Sequence, residues 1–430
     1  MTIRVRALLV AVATATILLA GCDHYVCTSG ATFGNSSCTA SSSGLGGTGS
    51  GGNGSAAYVY AVDEGTNGAA NGTIDGYALD TTAVTFGPIA SYTAPTVPLN
   101  TGGTGMVVAQ GTYLYAAFGA TDQIFGWTIS STGALTSIAG TPITSPAAGG
   151  YIGGVGQDNM ITNPAGTLLF ISDAATDSIY VYSIGSGGVL TQVGTPVSCP
   201  STFTPMNLAT DGLGKYLYVI DGFYGTHQGA KVAAFSIGTG SNLGVLNAVS
   251  GSPFSFPMWQ LKGEPTGKYL VGTSGSSVLY SGQDDPKLYV FSITQTGTNA
   301  GAITQVGTEA TNGSPFSIAM QSNANGSLVY AFGIQDSDQG FDEIEGFSIS
   351  SSGGLTPANG EPFSLGEGSW GQFDQSGALL FTYASFLDIN TNTIVTQISP
   401  LSVGSGGMLT EPTSNTTLVT PGFWAVADAP

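Results

Sequence analysis

Three short patterns of apolar and polar residues recur along this chain, always in the same order. The best-formed copy runs Gly166-Thr-Leu-Leu-Phe-Ile-Ser-Asp173, then Ser178-Ile-Tyr-Val-Tyr-Ser-Ile184, then Gly188-Val-Leu-Thr191. The first pattern is an apolar triplet whose third residue is Tyr60, Tyr115, Phe170, Tyr218, Val271, Tyr330 or Phe381, at intervals of 55, 55, 48, 53, 59 and 51 residues. The second returns as Ile124-Phe-Gly-Trp-Thr-Ile129, Val232-Ala-Ala-Phe-Ser-Ile237, Leu288-Tyr-Val-Phe-Ser-Ile293 and Ile344-Glu-Gly-Phe-Ser-Ile349. Weaker copies stand at Ile74 and Ile398. The third returns as Gly133-Ala-Leu-Thr, Gly244-Val-Leu-Asn, Gly301-Ala-Ile-Thr, Gly354-Leu-Thr and Gly407-Met-Leu-Thr.

Short β-branched and aromatic runs bounded by Gly, Asn and Asp are strand signals, and no long stretch carries a helical period. A further apolar run precedes most triplets, joined to them by Asp211-Gly-Leu-Gly214, Glu264-Pro-Thr-Gly267, Asn323-Ala-Asn-Gly326 or Asp374-Gln-Ser-Gly377. An acid or Asn first and Gly fourth is type I turn chemistry, so these carboxylates are turn residues before they are candidate catalysts. Each unit then holds four strands, A to D, and a repeat of this length and content predicts an all-β fold, a seven-bladed β-propeller of four-stranded antiparallel blades. Phe423-Trp-Ala-Val-Ala-Asp428 reads as a strand A at the end of the chain, and Tyr58-Val-Tyr60 as a strand B with none before it. Pairing them closes the ring with strands from both termini and hides the edges of an open array.

These triplets and Gly-x-Leu-Thr turns resemble the lactonase or YVTN-type family of seven-bladed propellers, which includes bacterial 6-phosphogluconolactonases. The resemblance covers residues 58–430. It implies a hydrolase that opens a phosphorylated sugar lactone with histidine and arginine near the channel mouth. This sequence departs from that expectation. Its only arginines are Arg4 and Arg6, its propeller holds one histidine, His227, and 26 acids face five lysines beyond the first six residues. So negative a surface repels phosphate esters, nucleic acid and anionic lipid headgroups.

Arg4 and Arg6 precede an apolar run over 7–19 that is too short to span a bilayer, which takes about 20 residues. It ends in Leu19-Ala20-Gly21-Cys22, which resembles the lipobox of bacterial lipoproteins; an ordinary secretory signal is the alternative. The resemblance implies residues 1–21 as a signal peptide and acylation of Cys22. Residues 22–55 then form a small segment, with Cys27 and Cys38 placed for a disulfide, and a Ser/Gly-rich tether; residues 56–430 form the propeller. The expected location is the cell envelope, with membrane contact through acyl chains alone and a monomeric propeller. Which membrane holds the anchor is left open.

Half of the acids fall between strands B and C, on one rim of the predicted ring, either as solvated loops or as a face for a cation or basic partner. Within that rim Asp336, Asp338, Asp342 and Glu343 alternate around Gly340, as oxygen ligands of calcium do, although this is not an EF-hand. His227 is a candidate general base or a loop histidine without a role, and no second catalytic group is marked by spacing. Trp259, Trp370 and Trp424 could stack against a sugar or pack between blades. The favoured expectation is a non-enzymatic, lipid-anchored propeller binding a glycan, cation or protein; the alternative is a lactonase for a neutral substrate outside the cytoplasm.

Overall fold

The computed structural model describes three short strand segments at 25–27, 32–33 and 36–37. From residue 56 it describes the ranges 56–63, 72–80, 85–94, 104–118, 123–144, 158–200, 203–222, 231–274, 285–321, 328–336, 340–363, 370–374, 376–388, 393–411, 418–421 and 423–428. The chain forms seven antiparallel four-stranded sheets arranged as a propeller. Blade 1 joins strand A, Phe423–Asp428, to strand B, Ala56–Asp63, in the register Trp424 opposite Ala61 and Ala427 opposite Tyr58. The ring therefore closes through both ends of the repeat region, as the sequence pattern requires. Side chains from blades 1 and 7 share one core cluster, with Val59 and Leu79 packed against Phe381 and Tyr383.

The core lies between blades. Every strand B is apolar on both faces because it packs against the blade on either side. One contact explains the triplets. The Tyr60 hydroxyl donates to the Gly133 carbonyl in the C–D turn of the next blade at 2.7 Å. Tyr115 does the same to Gly188 at 2.6 Å, Tyr218 to Gly301 at 3.1 Å and Tyr330 to Gly407 at 2.7 Å. A small residue lies opposite each ring on strand C: Gly76, Gly126, Ala234 and Gly346. A Cβ at Gly346 would stand 2.6 Å from the Tyr330 ring, so the aromatic needs the glycine.

The four A–B turns read from the sequence form where they are described. Gly214, Gly267 and Gly377 donate to the carbonyls of Asp211, Glu264 and Asp374 at 2.9, 2.9 and 3.1 Å. Each of these glycines has a positive φ that a side chain would resist. The Asn323 turn lies outside the described residues. Strand D is less regular than the pattern suggests. In blade 2 it splits into Leu135–Ser137 and Ile143–Thr144, both paired with strand C, around Gly140-Thr-Pro142. Proline cannot donate to a ladder, which suits it to this outermost edge strand.

Candidate functional site

The inner strands converge on a channel, and one polar cluster crosses it. Asp158 precedes strand A of blade 3, Met160–Thr162. Gln260 and Lys262 belong to strand A of blade 5, Gln260–Gly263. The Lys262 ammonium donates to one oxygen of Asp158 at 2.7 Å, and the Gln260 amide donates to the other at 2.6 Å. Blades 3 and 5 are not neighbours, so these side chains meet across the inner edge of blade 4. Gln260 also accepts from the Ile318 backbone of blade 6 at 2.7 Å. Asn207 of blade 4 accepts from Asp158 N–H at 2.8 Å and donates to the Trp259 carbonyl at 2.6 Å. Asn159 adds a buried amide nitrogen with no partner among the described residues, a state that costs roughly 1–3 kcal/mol.

Below this cluster a cavity of about 470 Å³ opens between the A–B turns. Six blades contribute to its wall, with Val108, Ile161, Met320 and Phe373 as apolar lining and Thr210, Lys262 and Gln372 as polar lining. Asp211 and Asp374 also border it, but their oxygens are committed. Asp211 accepts from Lys215 and Tyr216 N–H at 2.6 and 2.8 Å, and Asp374 from Leu379 N–H at 2.8 Å. Burial raises the Asp211 carboxyl more than these amide donors lower it.

A second polar group lies between blades 5 and 6. Glu345 is buried on strand C of blade 6, Gly340–Ile349, and accepts from Asn312 N–H at 2.6 Å. Burial, reinforced by Glu361 and Glu343, pushes its carboxyl up to about 7 despite that donor. Burial and then Glu309 raise Glu361, one of whose oxygens has no hydrogen-bond partner. Further out, burial alone would raise the Asp285 carboxyl. Hydrogen bonds from Lys287 at 2.8 Å, Ser274 at 2.5 Å and Tyr289 at 2.6 Å outweigh it and hold the group below the usual range. That knot ties the base of the blade 5 B–C connection.

His227 and Asp338 lie outside the described residues, as do Cys22 and Cys38. Asp336 and Asp342 lie in a hairpin that continues strands B and C of blade 6, with Asp336 opposite Gly340, where the sequence reading had an open loop. Strand pairing persists there because the ladder can extend beyond the blade body. Glu343 accepts from the Asn312 side chain at 3.0 Å. Among the described residues no group of three or more potential ligands is placed to hold a metal ion. Trp259 and Trp370 are interior, Trp259 with its ring centroid 5.5 Å from that of Phe316, so stacking a ligand on either needs a conformation other than this one. Trp424 is a strand residue whose side chain is not described, and Cys27 lies in Tyr25–Cys27, which pairs in parallel with the end of strand B in blade 7. Cys199 is buried and its thiol is pushed up to about 12, chiefly by burial, which leaves it unreactive.

No protein-family model matches the sequence, and no curated protein matches it. Solved structures do. A periplasmic gluconolactonase of Pseudomonas aeruginosa superposes with a TM-score of 0.58 at 15% identity, over 87% of this chain and 100% of its own. The chain shares with it the seven-bladed β-propeller fold. A candidate 6-phosphogluconolactonase of Bacteroides uniformis gives 0.55 at 16%, over 86% and 99%. A hypothetical selenium-binding protein of Sulfolobus tokodaii gives 0.54 at 10%, over 87% and 94%. Proteins with such different names on one scaffold show that the fold does not fix the activity.

The channel cluster escaped the sequence reading, yet one signal marks it. Lys262 lies opposite Val271, the third residue of its triplet, while the matching inner positions are Val107, Ile161, Ala209 and Ala319. A lysine stands out at a place that is apolar in those four blades; blade 7 carries the polar Gln372 there. On strand C, Glu345 holds a place where four blades carry Phe125, Tyr180, Ala233 and Tyr289, while blade 1 has Asp75 and blade 7 Ser399 there.

Proposed function

We propose that this is an exported propeller, anchored through acylated Cys22, that binds a carbohydrate-type small molecule in its channel without transforming it. The observation that carries this reading is the channel itself: a cavity of about 470 Å³ whose wall mixes polar groups such as Thr210, Lys262 and Gln372 with the apolar Ile161, Met320 and Phe373. Its volume falls in the range of small-molecule sites, roughly 300–1,000 Å³, and a mixed wall suits a polyhydroxylated ligand. Lys262 is already paired with Asp158, so the described channel offers no uncommitted cation to a phosphate. That argues for a ligand other than a sugar phosphate. The acidic rim on the opposite face remains a proposed surface for a cation or a basic partner.

A second reading is a lactonase acting on a neutral lactone outside the cytoplasm, with His227 as general base. The shared fold with a periplasmic gluconolactonase supports it. Hydrolysis of D-glucono-1,5-lactone, followed beside a His227→Ala variant, separates the two. Turnover no faster than the spontaneous reaction supports the binder; turnover that disappears with His227 overturns it.

A further inference from the structure

We infer that the Asp158–Lys262 ion pair selects an uncharged polyhydroxylated ring, a sugar or a sugar lactone, against its charged counterparts. This rests on the carbohydrate-binding reading above and adds the charge class of the ligand and the residues that choose it.

The pair is held from outside the ligand. Gln260 occupies one Asp158 oxygen at 2.6 Å and is itself fixed by the Ile318 backbone, so the carboxylate cannot swing away to release the lysine at no cost. Neither side chain is fully enclosed: that of Lys262 is 30% exposed and that of Asp158 19%. Lys262 also lines the cavity, whose walls include Ile161 and Phe373.

The pair carries no net charge. An anionic ligand can reach Lys262 only beside the Asp158 carboxylate, and must either bear that repulsion or displace Asp158 and leave a partly buried carboxylate without its cation. A cationic ligand meets the mirror image of that cost. An uncharged ring with neighbouring hydroxyls avoids both, because one hydroxyl donates to Asp158 while another accepts from the Lys262 ammonium. The apolar wall can meanwhile cover the C–H faces of such a ring. A charged group at the same place therefore acts as a filter, and the sign of its preference is set by which partner remains.

The test uses the mature full chain and three pyranose probes, D-glucose, D-glucuronate and D-glucosamine, titrated by calorimetry at constant ionic strength. Glucose should bind at least about tenfold more tightly than either charged probe, the scale expected when a pair must be broken. Asp158→Asn leaves an unpaired lysine and should turn the preference toward glucuronate. Lys262→Met leaves an unpaired carboxylate and should turn it toward glucosamine. A merely structural pair would not invert selectivity in opposite senses. Lys215→Met, on an exposed turn, is the control and should leave all three affinities unchanged. If one variant fails to fold, the inversion in the other decides. Glucose binding that is equal in the wild type and in both variants overturns this inference while the carbohydrate reading stands. Binding of none of the three probes overturns both.

Discussion

The hydroxyl of Tyr115 ends 2.6 Å from the carbonyl oxygen of Gly188, a residue 73 positions away and one blade further round the ring. Both groups are buried. The bond spans a boundary between blades, and it recurs at Tyr60, Tyr218 and Tyr330. Burial pushes each of these hydroxyls well above the ordinary tyrosine range, so each remains a donor at any pH the protein meets. Phe170, Val271 and Phe381 hold the same place in the other three blades and cannot make the bond.

Tyr115→Phe should accordingly destabilise the protein by about 1–3 kcal/mol, because the Gly188 carbonyl loses its partner in a buried setting. Equilibrium denaturation in urea would measure it. An unchanged midpoint would mean that water replaces the hydroxyl at no cost.

Gly346→Ala should cost about 1–3 kcal/mol by overpacking, since the new methyl would stand 2.6 Å from the Tyr330 ring and 3.1 Å from the Ala358 methyl. Pairing it with Tyr330→Leu should recover part of the loss, because a flat ring no longer fills the space. Additive losses in the double variant would argue that the two residues do not share one contact.

The architecture could be read from the chain because its causes are local and repeated. Apolar triplets recur seven times, and turn acids and closing glycines in most blades, so one blade read correctly supplies the rest. Strand A of blade 1 was also recoverable, since Phe423 to Asp428 had no partner unless the ring closed. The channel was not readable in the same way. Asp158 lies just outside strand A of its blade, and only the converging inner edges bring it to Lys262, 104 positions later. Repeat analysis emphasises what the blades share, whereas the channel pair depends on Lys262, which departs from the apolar residues that most blades carry at its place. At blade 6 the spacing suggests a loop of ligands; Asp336 and Asp342 lie in paired strands, and Asp338 lies outside the described residues.

Removal of residues 421–430 takes away the strand that pairs with Ala57 to Val62. It exposes the backbone of strand B in blade 1 and uncovers the side of blade 7 that this closure protects. The loss should be comparable to the ~5–15 kcal/mol total stability of a domain, so the truncated chain should not show a cooperative melt at the wild-type temperature. A matching transition would show that the closing strand contributes little.

The blade 5–6 boundary should make stability depend on pH in a predictable direction. Glu345 is buried beside the carboxyls of Glu343 and Glu361, with Glu309 acting on Glu361 from blade 5, and the two ion pairs among the described residues belong to Lys262 and Lys287. Its folded-state value, about 7, stands above the value near 4.5 expected in the unfolded chain. Folding therefore favours the protonated form. The associated stability is fully present below the unfolded value and is lost as pH rises through the folded one, over about pH 4.5 to 7. A shift of this kind is worth on the order of 1–3 kcal/mol at neutral pH and above. Glu345→Gln keeps the shape and the Asn312 contact but carries no charge at any pH. The variant should melt higher than the wild type at pH 8, match it near pH 5, and show a flatter profile between. Thermal melts at the two pH values measure this directly. Equal melting temperatures for the two proteins at pH 8 would mean that the carboxylate is accommodated there without strain, and the pH dependence would then have to arise elsewhere.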